Sequence, residues 1–181
     1  TYTSRRAELK ELVGEGVILL FGNNEAPANY PANGYAPFRQ DSSFLYYFGQ
    51  HRDGLVGIID IDNDEEWLFG DDIDVEDIVW MGYTPSVADL AAEVGIAKTA
   101  PMKDLPSFIS HLSSKKIHFL PPYRYDTKIQ IMDLLGIHPS KQKEAASLDL
   151  IKAVVKMRAT KSAEEIAYIE AACDVGYAMH T

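Results

Sequence analysis

The chain of 181 residues suits one compact domain with a short extension, and its 46% apolar content can build a real core, which excludes disorder as its main state. A formal charge of −10 argues against a nucleic-acid backbone or an anionic membrane as partner, because both need a cationic face. The single cysteine, Cys173, excludes an internal disulfide and a thiolate zinc knuckle, and fits a reducing cytoplasm.

The first stretch, TYTSRRAELKELV, is charged and amphipathic and has no apolar signal core. The chain begins without Met, which leaves a processed start open, and no later run is long enough to span a bilayer. Ser4 to Val13 predicts a helix with Leu9, Leu12 and Val13 on one face, ended by Gly14. GVILLF (16–21) is a continuous apolar run of the kind found in strands buried on both faces. GNNEAPANYPANGYAP (22–37) is a long loop by composition, and loops of that length are often functional.

FRQDSSFLYYFG (38–49) follows. Asp41 or Ser42 can cap a short helix through Phe48, with Gly49 as its stop and with Phe44, Leu45, Tyr47 and Phe48 buried together. A strand competes with that reading, since aromatic residues favour sheets. GLVGIIDI and EEWLFGD flank the turn residues DND and predict a β-hairpin. Thr84-Pro85 opens a helix that runs to Val94 and stops at Gly95. A helix from Lys103 to Leu112, a strand at KIHFL (116–120), a loop at PPYRYD and a helix from Thr127 to Leu135 complete the alternation. Strands alternating with helices imply a layered α/β domain with helices on both sheet faces, and the hairpin makes the sheet mixed. The tail reads as an amphipathic helix, LDLIKAVVKM (148–157), a break at RATKS, and a capping box at SAEE (162–165) that opens a last helix.

No catalytic constellation stands out from this pattern. Asp60, Asp62 and Asp64 match the first ligand positions of a calcium loop, but Glu65 replaces the required Gly and Asp71 the bidentate Glu, so a solvated turn is the better reading. GDDIDVED (70–77) reads as a helix start or surface loop. His51, His111, His118, His138 and His180 are scattered singly, without a metal-binding spacing. There is no phosphate-binding glycine motif and no nucleophile elbow. Cys173 reads as a packed thiol among alanines. Trp80, in VWMGY, is either core or a ligand contact.

FRQDSSFLYYFG, an apolar hairpin and then VWMG resemble the N-terminal domain of the Xaa-Pro aminopeptidases of the creatinase/prolidase class. MRATKSAEEI is similar to that family's linker, through Arg158, Lys161, Ser162, Glu165 and Ile166. The resemblance implies a three-layer α/β domain over residues 1–157. Residues 158–181 would then be a linker and first helix leading into a pita-bread catalytic domain that this sequence does not contain. It implies a parent hydrolase that releases the N-terminal residue ahead of proline. Two divalent metal ions, usually manganese, would sit on two Asp, one His and two Glu beyond the helix that starts at Ser162. No catalytic or metal-binding residue is then expected in this chain, which by itself should be inactive. Trp80 is the one candidate substrate-binding residue, since a Trp at the W-x-G position borders the cleft in some relatives. The implied partners are peptides with proline in second position and further copies of the chain, in the cytoplasm. Prolidase and non-enzymatic peptide- or protein-binding relatives are the alternative readings.

Overall fold

The computed structural model describes residues 1–34, 37–73, 79 and 82–180. Five strands form one mixed sheet in the order β6-β5-β4-β1-β7, where β1 is Val17–Phe21, β4 Val56–Asp60, β5 Glu65–Phe69, β6 Lys98–Ala100 and β7 Ile117–Phe119. The β1–β4 and β4–β5 pairs are antiparallel, and β1–β7 and β5–β6 are parallel. The hairpin of β4 and β5 therefore sits in the middle of the sheet, and crossover pairs flank it.

Period-two alternation sends successive side chains to opposite faces, and each face has its own core. Ile18, Leu20, Ile59 and Leu68 point to the first face. There they meet Leu9 and Val13 of α1 (Tyr2–Val13), Phe44, Tyr47 and Phe48 of α2 (Ser42–Phe48), Val87, Leu90 and Ala91 of α3 (Val87–Glu93), and Leu150, Ala153, Val154 and Met157 of α7 (Leu148–Ala159). Val17, Leu19, Val56, Ile58 and Phe69 point to the second face. That face is covered by Leu105 and Ile109 of α4 (Leu105–His111) and by Leu134 and Leu135 of α5 (Tyr125–Leu135). The expected three-layer α/β architecture with a mixed sheet is therefore the observed one.

Local chemistry explains the elements. Asp41 Oδ1 accepts the N–H groups of Ser43 and Phe44, both at 2.9 Å, and Gly49 leaves α2 in the left-handed region at φ 65°. The aromatic stretch is thus a helix rather than a strand. Leu45 is 37% exposed and does not join the buried group expected for it, because it lies on the outer side of α2. The Phe44 and Phe48 rings stack at 5.1 Å, and Phe48 occupies the space above Gly57 of β4, where any Cβ would overlap its ring.

Several elements differ from expectation. The Pro- and Gly-rich loop contains a small hairpin, β2 (Pro27–Ala28) with β3 (Tyr30–Gly34), turned at Asn29 with φ 76°. Composition pointed to a loop because turn residues outnumber apolar ones there. The helix expected from Thr84-Pro85 starts instead after Ser86, whose hydroxyl accepts from Asp89 N while Asp89 accepts from Ser86 N. Two elements carry too little apolar periodicity to be read: β6, with three residues, and α6 (Pro139–Ala145), which is almost wholly polar. In α8 (Ala163–His180) the predicted capping box is present, with Ser162 N to Glu165 Oε2 at 2.9 Å and Glu165 N to Ser162 Oγ at 3.2 Å. Cys173, on α8, is exposed rather than packed. No helix of the described residues is long and apolar enough to cross a membrane.

Candidate functional site at the loop end of the sheet

The strand directions gather six chain segments at one end of the sheet. Parallel β1 and β7 both finish there, antiparallel β4 begins there, and β5 and β6 finish there. This brings together residues 22–25, 38–41, 50–55, 70–73, 82–86 and 121–126. In open α/β sheets, the crevice outside the carboxyl ends of the strands is the usual place for ligands.

Gln40 is the centre of this end. Its Oε1 accepts the backbone N–H of Asn23 at 2.6 Å and of Asp41 at 2.8 Å, and its Nε2 donates to the Arg52 carbonyl at 2.7 Å. The residue is buried, so one amide satisfies three backbone groups that water cannot reach. Asn23 Nδ2 donates to the Arg39 carbonyl at 2.9 Å. Arg39 thus ties the loop through its carbonyl, while its side chain is exposed. The Tyr123 hydroxyl donates to Asp41 Oδ2 at 3.1 Å. Burial pushes the Tyr123 phenol up, and the Asp41 carboxylate beside it adds to the shift. Arg124 Nη2 donates to the Asn24 carbonyl at 2.8 Å, and its guanidinium pairs with Asp126 at 3.1 Å. Burial raises the Asp126 carboxyl, but the bonds from Arg124 and from Thr127 N outweigh it and hold the group below its usual range.

A cavity of about 40 Å³ lies between Leu20, Phe21, Asn23, Asp41, Pro122 and Tyr123. It has room for about one water molecule, not for a peptide. At the rim of this end Phe38 packs edge-on against exposed His51, with centroids 5.4 Å apart.

Trp80 lies outside the described residues. The segments on either side of it do not. Asp72 Oδ1 accepts Val87 N at 2.7 Å, Asp71 Oδ1 accepts Met102 N at 2.9 Å, and Arg52 donates to the carbonyls of Asp71 and Pro85. Both flanks of the Trp80 segment are therefore tied to this end. Residues 74–77 of the acidic run GDDIDVED also lie outside the described residues.

The remaining candidates have structural partners. Lys115 Nζ bonds both carboxylate oxygens of buried Asp60, at 2.7 and 2.8 Å, Asp62 Oδ1 accepts Gly16 N at 2.8 Å, and Asp64 pairs with Lys10 at 2.7 Å. The DND stretch is a hairpin turn, as expected. His118 is fully buried, between Ser147 Oγ at 2.6 Å and the Glu15 carbonyl at 3.0 Å. Among the described residues, no three His, Cys, Asp or Glu side chains come together in a metal-binding arrangement. Sequence reading expects Arg39 and Gln40 to tie the long loop down, and Gln40 does so with its side chain while Arg39 does so only through its carbonyl. It misses Asn23, Tyr123 and Arg124, because the members come from four separate segments.

A two-faced mixed sheet whose polar loops hydrogen-bond one another at the carboxyl ends of its strands defines a layered α/β domain. The same fold occurs in aminopeptidase P from E. coli in its low-pH form, with a TM-score of 0.75 and 21% identity over 92% of this chain and 40% of that one. A zinc-substituted E. coli aminopeptidase P in complex with product gives a TM-score of 0.71 and 19% identity over 92% and 41%. In sequence, the "Probable Xaa-Pro aminopeptidase PEPP" of Leptosphaeria maculans is 28% identical over 152 residues, which are 84% of this chain and 26% of the relative. The chain thus spans about a quarter of the length of that relative. The family profile of the aminopeptidase P N-terminal domain matches residues 2–119. The chain belongs to that family.

Proposed function

We propose that this chain is the N-terminal, non-catalytic domain of a metal-dependent Xaa-Pro aminopeptidase, and that its loop end borders the substrate cleft of the parent enzyme. The observation that carries the reading is the family match over residues 2–119. In this reading the domain ends at residue 157, and residues 158–181 lead into the catalytic domain. The substrates are peptides with proline in second position, the assembly contains several copies of the chain, and the enzyme is cytoplasmic. Two divalent ions, manganese in the first instance, would polarise the scissile carbonyl and supply an activated water. The described residues of this chain offer no ligand set for such ions.

Trp80 is the residue assigned to the cleft rim. Support comes from its flanks, which Arg52, Asp71, Asp72 and Pro85 hold at the loop end. The test is an assay of the longer gene product on an Xaa-Pro tripeptide with manganese, alongside its Trp80→Ala variant. Release of the first residue by the parent, together with a lower kcat/KM and an unchanged melting temperature for Trp80→Ala, supports the reading. Turnover of Xaa-Pro dipeptides alone would make the parent a prolidase. Metal-dependent turnover by the 181-residue chain itself would show that the catalytic residues have been misplaced.

A further inference from the structure

We propose that Arg5, Tyr46, Arg158 and Glu165 form a latch that fixes the angle at which α8 leaves the domain, with Tyr46 as the positioning residue. The starting observation is that α8 has eighteen residues and buries none of them. Burial along its body therefore contributes little to holding it. Its first turn, however, is tied to the domain.

Glu165 uses its two carboxylate oxygens for different tasks. Oε2 accepts Ser162 N at 2.9 Å and closes the capping box, while Oε1 pairs with Arg5 Nη2 of α1 at 3.2 Å. Arg5 lies over the Tyr46 ring with its guanidinium carbon 3.8 Å from the centroid, and its Nη1 donates to the Tyr46 carbonyl at 3.1 Å. Arg158, at the end of α7, approaches the same ring at 5.5 Å and donates to Ser42 Oγ at 3.3 Å and Ser43 Oγ at 3.2 Å. The Tyr46 hydroxyl donates to the Met157 carbonyl at 3.3 Å, and Lys161 donates to the Arg158 carbonyl. One aromatic ring thus receives a cation from α1 and a cation from α7, and the α1 cation continues to the first turn of α8.

The planar guanidinium suits this role. It stacks on the ring and still offers in-plane N–H groups to a carboxylate or carbonyl, which a lysine ammonium cannot do with the same geometry. The arrangement also shows why two sequence motifs far apart in the chain belong together. FRQDSSFLYYFG supplies Ser42, Ser43 and Tyr46, and MRATKSAEE supplies Arg158, Lys161, Ser162 and Glu165. They are the two halves of one contact. The latch joins residues of this chain alone, so it stands or falls apart from the aminopeptidase reading.

The test uses the 181-residue chain with spin labels on the exposed native Cys173 and on Ser110→Cys of α4, read by pulsed electron–electron distance measurement. The parent sequence should give one narrow distance distribution. Glu165→Gln keeps an acceptor for Ser162 N but loses the charge opposite Arg5, and Tyr46→Leu removes the ring. Both should broaden the distribution; Glu165→Gln should leave the urea midpoint of the domain unmoved, while Tyr46→Leu also loses the packing of the ring on the first core and lowers it. The amides of Glu165 and Ile166, which donate to Ser162, should exchange about fivefold faster in either variant, the factor that one cation–π contact or one well-placed ion pair carries. Tyr46→Phe keeps the ring and should stay narrow. Should Tyr46→Leu unfold the domain, Glu165→Gln decides, since its side chain lies outside both cores. A distribution already broad in the parent, or one equally narrow in Glu165→Gln, overturns the latch.

Discussion

Arg6 Nε donates to Glu66 Oε2 at 2.8 Å, with the Arg6 side chain fully buried between α1 and the sheet. The same guanidinium donates to the Tyr47 carbonyl at 3.0 Å and to the Val94 carbonyl at 2.8 Å. It therefore joins α1, α2, β5 and the end of α3 at one point. Removing one member of a buried ion pair costs about 3–5 kcal/mol, because the other charge is left without compensation. Glu66 keeps a second cation, Lys10, at 3.2 Å, which favours the lower end of that range. Arg6→Met should thus lose about 3 kcal/mol of stability in urea unfolding. Arg6→Lys should recover less than half of that loss, since an ammonium on a flexible stem cannot serve three fixed acceptors as the planar fork does.

Gly57→Ala tests the packing of α2 on the sheet. A Cβ at Gly57 would overlap the Phe48 ring, which is fully buried and stacked on the Phe44 ring. Overpacking of this kind costs about 1–3 kcal/mol. Phe48→Leu in the same chain should return part of the loss. The check is a double-mutant cycle by thermal melting, and a coupling near zero would mean that the ring moves freely.

His118 predicts a pH dependence. Burial pushes its imidazole below the ordinary value of 6.5; the Glu15 carbonyl and the Asp149 and Glu15 carboxylates oppose the shift, and Lys116 adds to it. The neutral ring is the form that fits, with Nε2–H donating to the Glu15 carbonyl and Nδ1 accepting from Ser147, whose Oγ also caps α7 at Leu150 N. Because the folded pKa is the lower one, the unfolded chain binds the proton more readily. The contribution is complete above about pH 6.5 and is lost as the pH falls from there through the folded value. Urea unfolding at pH 7.5 and pH 5 should show a smaller loss on acidification for His118→Gln than for the parent. Equal losses would mean that His118 does not titrate in this window.

Gln40→Ala should loosen the loop end. It leaves the N–H groups of Asn23 and Asp41 and the Arg52 carbonyl without their partner. A buried polar group left unsatisfied costs about 1–3 kcal/mol, so a loss of about 2 kcal/mol is expected. Hydrogen exchange at Asn23 and Asp41 should rise by more than at β4. Uniform exchange across both regions would show global destabilisation instead.

The local elements were legible because their signals are local. Asp41 three residues before Phe44, Gly49 after Phe48, and Ser162 three before Glu165 each specify a helix end through hydrogen bonds that span a few residues. The DND turn between two apolar runs specified a hairpin in the same way. Short or polar elements such as β6 and α6 lacked the periodicity that burial imposes on longer ones. The candidate site was legible only in part. Its loops announce themselves by composition, but Gln40, Asn23 and Tyr123 meet across about a hundred residues of chain, and no spacing rule reaches that far. Trp80, the residue singled out by resemblance, lies outside the described residues.

The sequence by itself determined the class of the domain, since alternating apolar runs and capped helices can bury their faces only in layers. It also determined the family, through motifs ordered along the chain. The tertiary structure decided which charges are buried and what they hold. Nothing near Arg6 in sequence distinguishes it from Arg5, yet Arg6 points into the core toward Glu66 while Arg5 points along the surface toward Tyr46 and Glu165. The reason is the helical step: adjacent residues lie about 100° apart around the axis, so one change of position exchanges the sheet for the elbow of α8.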